Sequence, residues 1–334
     1  MLFNVPVAPS NGYSSIPMNV GSMRNRGLEV ELTYTPINTK NITLDINANV
    51  TIPTNKVLKL EPSILNDKGE WISGSSYMKE GSSMYQLYLT HYEGVDPENG
   101  YALYTAYGPL QDKQGNLLYE PLNQAEIDAA EAAGEEAPEA EWDPAHVGEF
   151  STYNWQTAYS TNRKTTGDLM PNFYGGFGFQ LKVYGVDLGA TFSYQLGGKV
   201  IDYSYQDYMW GGDIGDAGTA WHKDVLNSWT PENTNTNVPA IMTAGEYNYA
   251  NAASDRFMIS SDYLALNNIS VGYTLPAKFT KKFGVAELRV YGAAENVALW
   301  AKRKGMDPRQ SYISSYSSTY SPIRSISGGV KVSF

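Results

Sequence analysis

Residues 42–52, ITLDINANVTI, place Ile42, Leu44, Ile46, Ala48, Val50 and Ile52 on one parity and Thr43, Asp45, Asn47, Asn49 and Thr51 on the other. Apolar and polar side chains alternate without a break, the period-2 pattern of a strand with one apolar and one polar face. The run lasts about eleven residues, whereas strands of soluble sandwiches usually span about five or six. A length of about ten residues is what crosses a bilayer at a tilt.

The pattern recurs along the chain. Leu28, Val30, Leu32 and Tyr34 oppose Glu29, Glu31, Thr33 and Thr35. Phe173, Phe177, Phe179, Leu181 and Val183 form one apolar set, and Val186, Leu188, Ala190, Phe192, Tyr194 and Leu196 the next. Leu288 and Val290 oppose Glu287, Arg289 and Tyr291, while the 263–275 stretch changes parity near Asn267 and Asn268, which reads as a β-bulge. At the end, Ile326, Val330, Val332 and Phe334 alternate with serines and Lys331, so the chain finishes on a strand instead of a frayed polar tail.

Brief connections (Pro36 to Asn41, Gly185, Pro276 to Val285) alternate with long ones at about 53–83, 108–172, 197–261 and 301–322. Short turns at one end, long loops at the other and a polar second face are the pattern of an outer-membrane barrel. The predicted fold is all-β: the C-terminal portion of a large antiparallel transmembrane β-barrel with long extracellular loops. Roughly nine spanning strands are expected, the weakest two at Tyr85 to Tyr92 and Tyr101 to Tyr107. A large soluble sandwich or β-helix is the plain alternative, and strand length and loop asymmetry count against it.

Composition narrows the function. The 26 tyrosines and 31 glycines, with no cysteine, favour twisted, aromatic-rich sheet over helix bundles. A net charge of -11 without a basic stripe argues against nucleic acid. Absence of cysteine excludes disulfides, thiolate metal sites and cysteine nucleophiles. No apolar run reaches the roughly eighteen residues of a membrane helix, and Met1 to Asn4 lacks the basic and apolar regions of a signal peptide.

Several motifs resemble the SusC/RagA-type TonB-linked outer-membrane receptors of the Bacteroidetes. NVGSMRNRGLEVEL (Asn19 to Leu32) looks like that family's strand opening, and FSYQLGGKVIDY (Phe192 to Tyr203) like its Gly-Gly-Lys strand end. DYLALNNISVGYTLP (Asp262 to Pro276), LRVYGAAENVALWAKRKGMDP (Leu288 to Pro308) and the terminal GGVKVSF resemble its last hairpin and closing strand. The chain departs from the family at Ala265, Arg309 and an insertion from Asn123 to Trp142. The resemblance implies that Phe334 is the C-terminal aromatic read by the barrel-assembly machinery, closing the barrel on its first strand.

That first strand is not evident. An odd strand count that starts outside the cell suggests a fragment: residues 1–25 as extracellular loop, 26–334 as C-terminal strands and loops, with signal peptide, plug and N-terminal strands absent. The implied parent is an importer of glycans or peptides in the bacterial outer membrane. Its implied partners are a SusD-like surface lipoprotein, the TonB energy-transducing complex reached through the absent N-terminal part, and outer-membrane lipid. A secreted β-rich glycan-binding protein is the alternative, to be told apart by its independence of detergent.

Catalytic signals are weak. His91, His146 and His222 are far apart and no Gly-x-Ser-x-Gly occurs. Asp213/Asp216 and Glu135/Glu136 read as loop charge more than as glycosidase pairs. No enzyme activity and no cofactor are expected. Asp96 to Gly100 reads as a turn and not a calcium loop, and Asn123 to Glu126 as the start of a short acidic helix. The candidate ligand-binding residues are Trp210, Trp221, Trp229, Tyr205 and Asp207, flat aromatics beside a hydrogen-bonding carboxylate in one long loop. That combination suits a sugar's apolar face and hydroxyl rim, or else the core of a folded loop.

Overall fold

A computed structural model describes residues 2–6, 10, 12, 14–19, 21–209, 220–242, 249–309 and 322–334. The chain divides into two units, one of residues 1–86, 167–200 and 259–334, the other of residues 87–166 and 201–258.

The first unit is built on an antiparallel sheet of seven strands: β1 (Gly21–Asn38), β2 (Ile42–Leu60), β3 (Phe173–Val183), β4 (Val186–Leu196), β5 (Tyr263–Thr274), β6 (Glu287–Ala301) and β7 (Ser325–Ser333). Each strand pairs with its predecessor in this order, so the sheet is a meander. Directly opposed residues of antiparallel strands share a face. One row therefore runs Tyr34, Ile46, Phe179, Ala190, Ile269, Ala294, Ile326 across all seven strands. The row beside it runs Leu32, Ala48, Phe177, Phe192, Leu266, Ala298. Leu44, Ile46, Val50, Phe177, Phe192, Val290 and Val332 all lie on this face. It is bare: Leu32 and Tyr34 are each 61% exposed and Ile326 81%.

The opposite face is polar. One of its rows reads Thr43, Lys182, Asp187, Gly272, Tyr291, Gly329. Arg289 forks onto Asp187, with Nε to Oδ1 at 3.0 Å and Nη2 to Oδ2 at 2.5 Å, straddling the intervening strand. Gly272 makes room for it: a Cβ there would stand 2.5 Å from the Arg289 Nη2 and 2.7 Å from Asp187 Oδ1. The bulge expected near Asn267 is present, as the register shifts between Thr191 and Phe192 and between Leu266 and Asn268. Both sides of it keep their apolar residues on the same face.

Four expectations are corrected. The Tyr85 to Tyr92 and Tyr101 to Tyr107 segments do not join the large sheet, whose strands among the described residues number seven and not nine. Strand Ala102–Pro109 alternates because Ala102, Tyr104 and Ala106 are buried, packed with Ala158 and Ala252 in the second unit's core. Period-2 alternation reports an apolar face and not what covers it. Consequently the loops drawn at 53–83 and 108–172 are parts of one excursion between β2 and β3. Its start also moves, because Pro53 does not end β2: it pairs with Gly27, and the hairpin runs on to Leu60 opposite Gly21. β1 thus begins before the expected Arg26, and residues 1–25 include a further hairpin, Leu2–Pro6 with Ser15–Asn19.

Gly175 marks the tightest approach within the sheet. A Cβ there would lie 2.1 Å from the Asn49 backbone oxygen, and the Tyr194 hydroxyl donates to that same oxygen at 3.1 Å. Gly175→Ala must push β2 and β3 apart and displace the tyrosine hydroxyl as well, at a cost of roughly 1–3 kcal/mol. The thermal unfolding midpoint should fall in this variant; a midpoint identical to wild type would show that the strands have slack here.

The second unit has a three-stranded sheet of Tyr92–Val95, Ala102–Pro109 and Val147–Thr152. The helix expected after Asn123 spans Gln124–Ala133 and ends on Gly134 in the left-handed region, φ 71°. Asn123 does not cap it. Its side chain instead ties the returning chain, donating to the Glu139 carbonyl and accepting from the Glu141 N–H.

Candidate functional site

The predicted ligand residues fall in the second unit, and the structure sorts them into different environments. Tyr205 sits on helix Tyr203–Tyr208, whose first turn is capped by the Asp202 carboxylate accepting from the Tyr205 N–H at 2.9 Å. Its ring meets His222 edge-on at 4.8 Å and Phe257 at 6.3 Å, and its hydroxyl reaches Asp224 Oδ2 at 3.0 Å. Asp207 is exposed on the same helix. Trp221 is 38% exposed and directly precedes His222, whose N–H donates to the Tyr208 carbonyl at 2.8 Å. Tyr205, Asp207 and Trp221 are thus gathered by one short helix and the segment laced to its end. Trp210 lies outside the described residues.

Trp229 is placed differently. Its indole N–H donates to the Pro97 carbonyl at 3.1 Å, and a Cβ on Gly100 would stand 2.6 Å from its ring. The ring clamps the Asp96 to Gly100 turn, with Gly100 at φ 79°. This turn is organised by a cation of the chain itself: Asp96, fully buried, accepts from Lys113 Nζ at 2.6 Å, Tyr153 Oη at 2.6 Å and the Glu98 N–H at 3.0 Å. Asn99 holds the tyrosine from behind, its Nδ2 donating to the same hydroxyl at 2.8 Å.

Burial pushes the Asp96 carboxyl up, but the hydrogen bonds from Lys113, Tyr153 and the Glu98 N–H outweigh it and hold the group below its ordinary 3.8. The Lys113 ammonium is raised above 10.5, chiefly by its hydrogen bond to Asp96. A lowered carboxyl stabilises the fold above its unfolded value, and that contribution is lost as pH falls through the folded value. A raised ammonium contributes fully below 10.5 and is lost as pH climbs past its folded value. Stability of this turn should therefore be flat around neutrality and fall below about pH 4. Tryptophan fluorescence melts against pH check this, and Asp96→Asn should flatten the acid limb.

Sequence reasoning missed one feature. Asn233, Asn235, Thr236 and Asn237 line a polar cavity of about 660 Å³ together with Asn227 and Glu93 to Val95. The Asn-Thr-Asn-Thr-Asn run was its only signal, and such runs commonly mark plain loops. Glu93 is held in place by Thr105 Oγ1 at 2.7 Å and Ser151 Oγ at 2.6 Å, and Tyr92 Oη donates to the Asn237 carbonyl at 2.9 Å. Burial of the Tyr92 phenol, opposed by the neighbouring Arg256, pushes it up to about 12.

No protein-family model matches the chain. Over 317 residues, 93% of its length, it is 25% identical to TonB-dependent receptor P3 of Formosa agariphila, covering 28% of that protein. Over 305 residues it is 22% identical to TonB-dependent receptor SusC of Bacteroides thetaiotaomicron, covering 91% of the chain and 26% of the receptor. It superposes over its full length on the structure of the RagAB peptide transporter, with a TM-score of 0.72, 23% identity and 32% of that chain covered. The chain is similar throughout to TonB-dependent receptors of the SusC/RagA type. It spans less than a third of the length of these relatives.

Proposed function

We propose that the chain forms the C-terminal wall and several extracellular loops of a TonB-dependent importer of glycans or peptides in the bacterial outer membrane. The observation that carries this reading is the sheet itself: seven strands present continuous apolar rows on one face and polar rows on the other. A bare apolar face of that extent belongs against hydrocarbon, and the polar face against a water-filled or protein-filled interior. The chain makes and breaks no bond. Energy enters through a TonB complex, a SusD-like lipoprotein presents cargo at the surface, and Phe334 serves as the assembly signal. That residue lies one position beyond β7 and is 92% exposed. A secreted glycan-binding protein would have no use for the bare face.

The reading is tested by deleting the reading frame in its host and measuring TonB-dependent uptake of candidate glycans and peptides, with loss of one cargo as the expected result. Unchanged uptake of all of them would defeat it. Within the loop unit, Trp221, Tyr205 and Asp207 form the proposed contact group, with Trp229 and Trp210 as further candidates. Trp221→Ala should weaken cargo capture by about 0.5–1.5 kcal/mol through lost stacking, with assembly normal. Trp229→Ala should chiefly loosen the Asp96 turn. Wild-type capture by the Trp221 variant would reduce that residue to a rim anchor.

A further inference from the structure

At the outer end of β6, where its pairing with β7 has ended at Glu295, a cavity of about 420 Å³ opens beside residues 303–309 and 322–324. Among the described residues four of its lining side chains are basic, Arg303, Lys304, Arg309 and Arg324, and one, Asp307, is acidic. This reverses the sign of a chain whose acidic residues outnumber its basic ones, 35 to 24.

Asp307 does not neutralise the group. It is 7% exposed and already gripped by Arg309, Nε to Oδ1 at 2.8 Å and Nη2 to Oδ2 at 2.6 Å, so those two charges cancel each other. Arg309 in turn is braced toward the bulge, its Nη1 3.4 Å from Asn267 Oδ1. Arg324 is oriented by donating from Nη2 to the Val297 carbonyl at 2.6 Å, a neutral acceptor. Neither Arg324 nor Lys304 has a carboxylate within ion-pair distance among the described residues. Like charges converging on one concavity repel, and an anion seated among them relieves the repulsion. Guanidinium groups held by neighbouring contacts also present the fork that carboxylates and sulfates fit.

We propose that this cavity binds an anionic group, a carboxylate or sulfate, carried by the cargo, so that the importer selects negatively charged substrates. The proposal rests on the importer reading above. The anion could belong to an acidic sugar or to an acidic peptide side chain, and the chemistry at the cavity is the same for both.

The test uses the complete receptor containing this chain, purified in detergent, and equilibrium binding of two probe pairs. One pair is oligogalacturonate and its methyl ester, the other an oligoglutamate peptide and its glutamine counterpart. At least one acidic probe should bind about tenfold tighter than its neutral partner, as two or three charge contacts from exposed cations converging on one group would give. That preference should shrink between about 0.05 and 0.3 M salt. The double variant Lys304→Gln, Arg324→Gln should lose it, while Arg324→Lys keeps part of it. Preference in the sugar pair alone identifies a uronate-type source, and in the peptide pair alone an acidic peptide. Equal binding of acidic and neutral partners in both pairs, or no binding of either acid, overturns the proposal, as does full preference in a correctly assembled double variant. Should the double variant fail to assemble, the wild-type comparison still decides. Failure of the importer reading shows separately, as absence of TonB-dependent uptake whatever the binding result.

Discussion

Ile46→Lys should abolish or severely reduce assembly, whereas Asn47→Lys, one residue along, should be tolerated. Ile46 belongs to the apolar row from Tyr34 to Ile326, flanked by Tyr34 on β1 and Phe179 on β3. A lysine on the hydrocarbon face near the bilayer midplane costs about 2–4 kcal/mol, and its ammonium has furthest to snorkel from there. Asn47 shares the polar face with Thr33, Gly178 and Thr191. Because the side-chain period is two, the pair of variants reads the register directly. Membrane yield and heat-modifiable migration are the measurements. Equal behaviour of the two would mean that this sheet does not divide lipid from lumen at Ile46.

Asp96→Ala should unfold the turn that Trp229 clamps. The substitution leaves Lys113 without its anion and the Tyr153 hydroxyl with only the Asn99 contact, so the turn between strands Tyr92–Val95 and Ala102–Pro109 loses its side-chain anchor and keeps only its backbone hydrogen bonds and the Trp229 clamp. Breaking a fully buried pair costs about 3–5 kcal/mol. Lys113 keeps 42% of its side chain in solvent, so a smaller loss of roughly 2–3 kcal/mol is expected. Limited proteolysis reads it: new cleavage within 96–113 should appear while the large sheet stays protected. Asp96→Asn, which retains an acceptor, should fall between. A cleavage pattern identical to wild type would show that the turn is held by Trp229 and the backbone alone.

The strand faces were largely legible in advance. Leu44, Ile46 and Val50 announce their face because every second residue is polar, and the shift at Asn267 was visible as a break in that rhythm. The Gly175 and Gly272 approaches were not, since each depends on a side chain from another strand: Tyr194 draped over one, Arg289 reaching over the other. The same holds for the candidate site. Aromatic density singled out the 203–229 stretch, but nothing local tells Trp221, which keeps a solvent-facing surface, from Trp229, which is committed to Gly100 and Pro97.

What the sequence determined by itself is what nearest neighbours along the chain can encode: alternation, strand length, the bulge, the acidic helix after Asn123 and the inequality of turns and loops. What only the tertiary structure decided is what covers each face and where charges meet. Ala102, Tyr104 and Ala106 alternate as a spanning strand would, yet their face is buried by Ala158 and Ala252, which lie far along the chain. Asp96 meets Lys113, Asp187 meets Arg289, and Arg324 comes beside Lys304 through pairings and returns that no local window contains. Periodicity fixes the direction in which a side chain points, because it follows from backbone geometry at one strand. The identity of its neighbour follows from how distant segments close on one another, and that is a property of the folded chain alone.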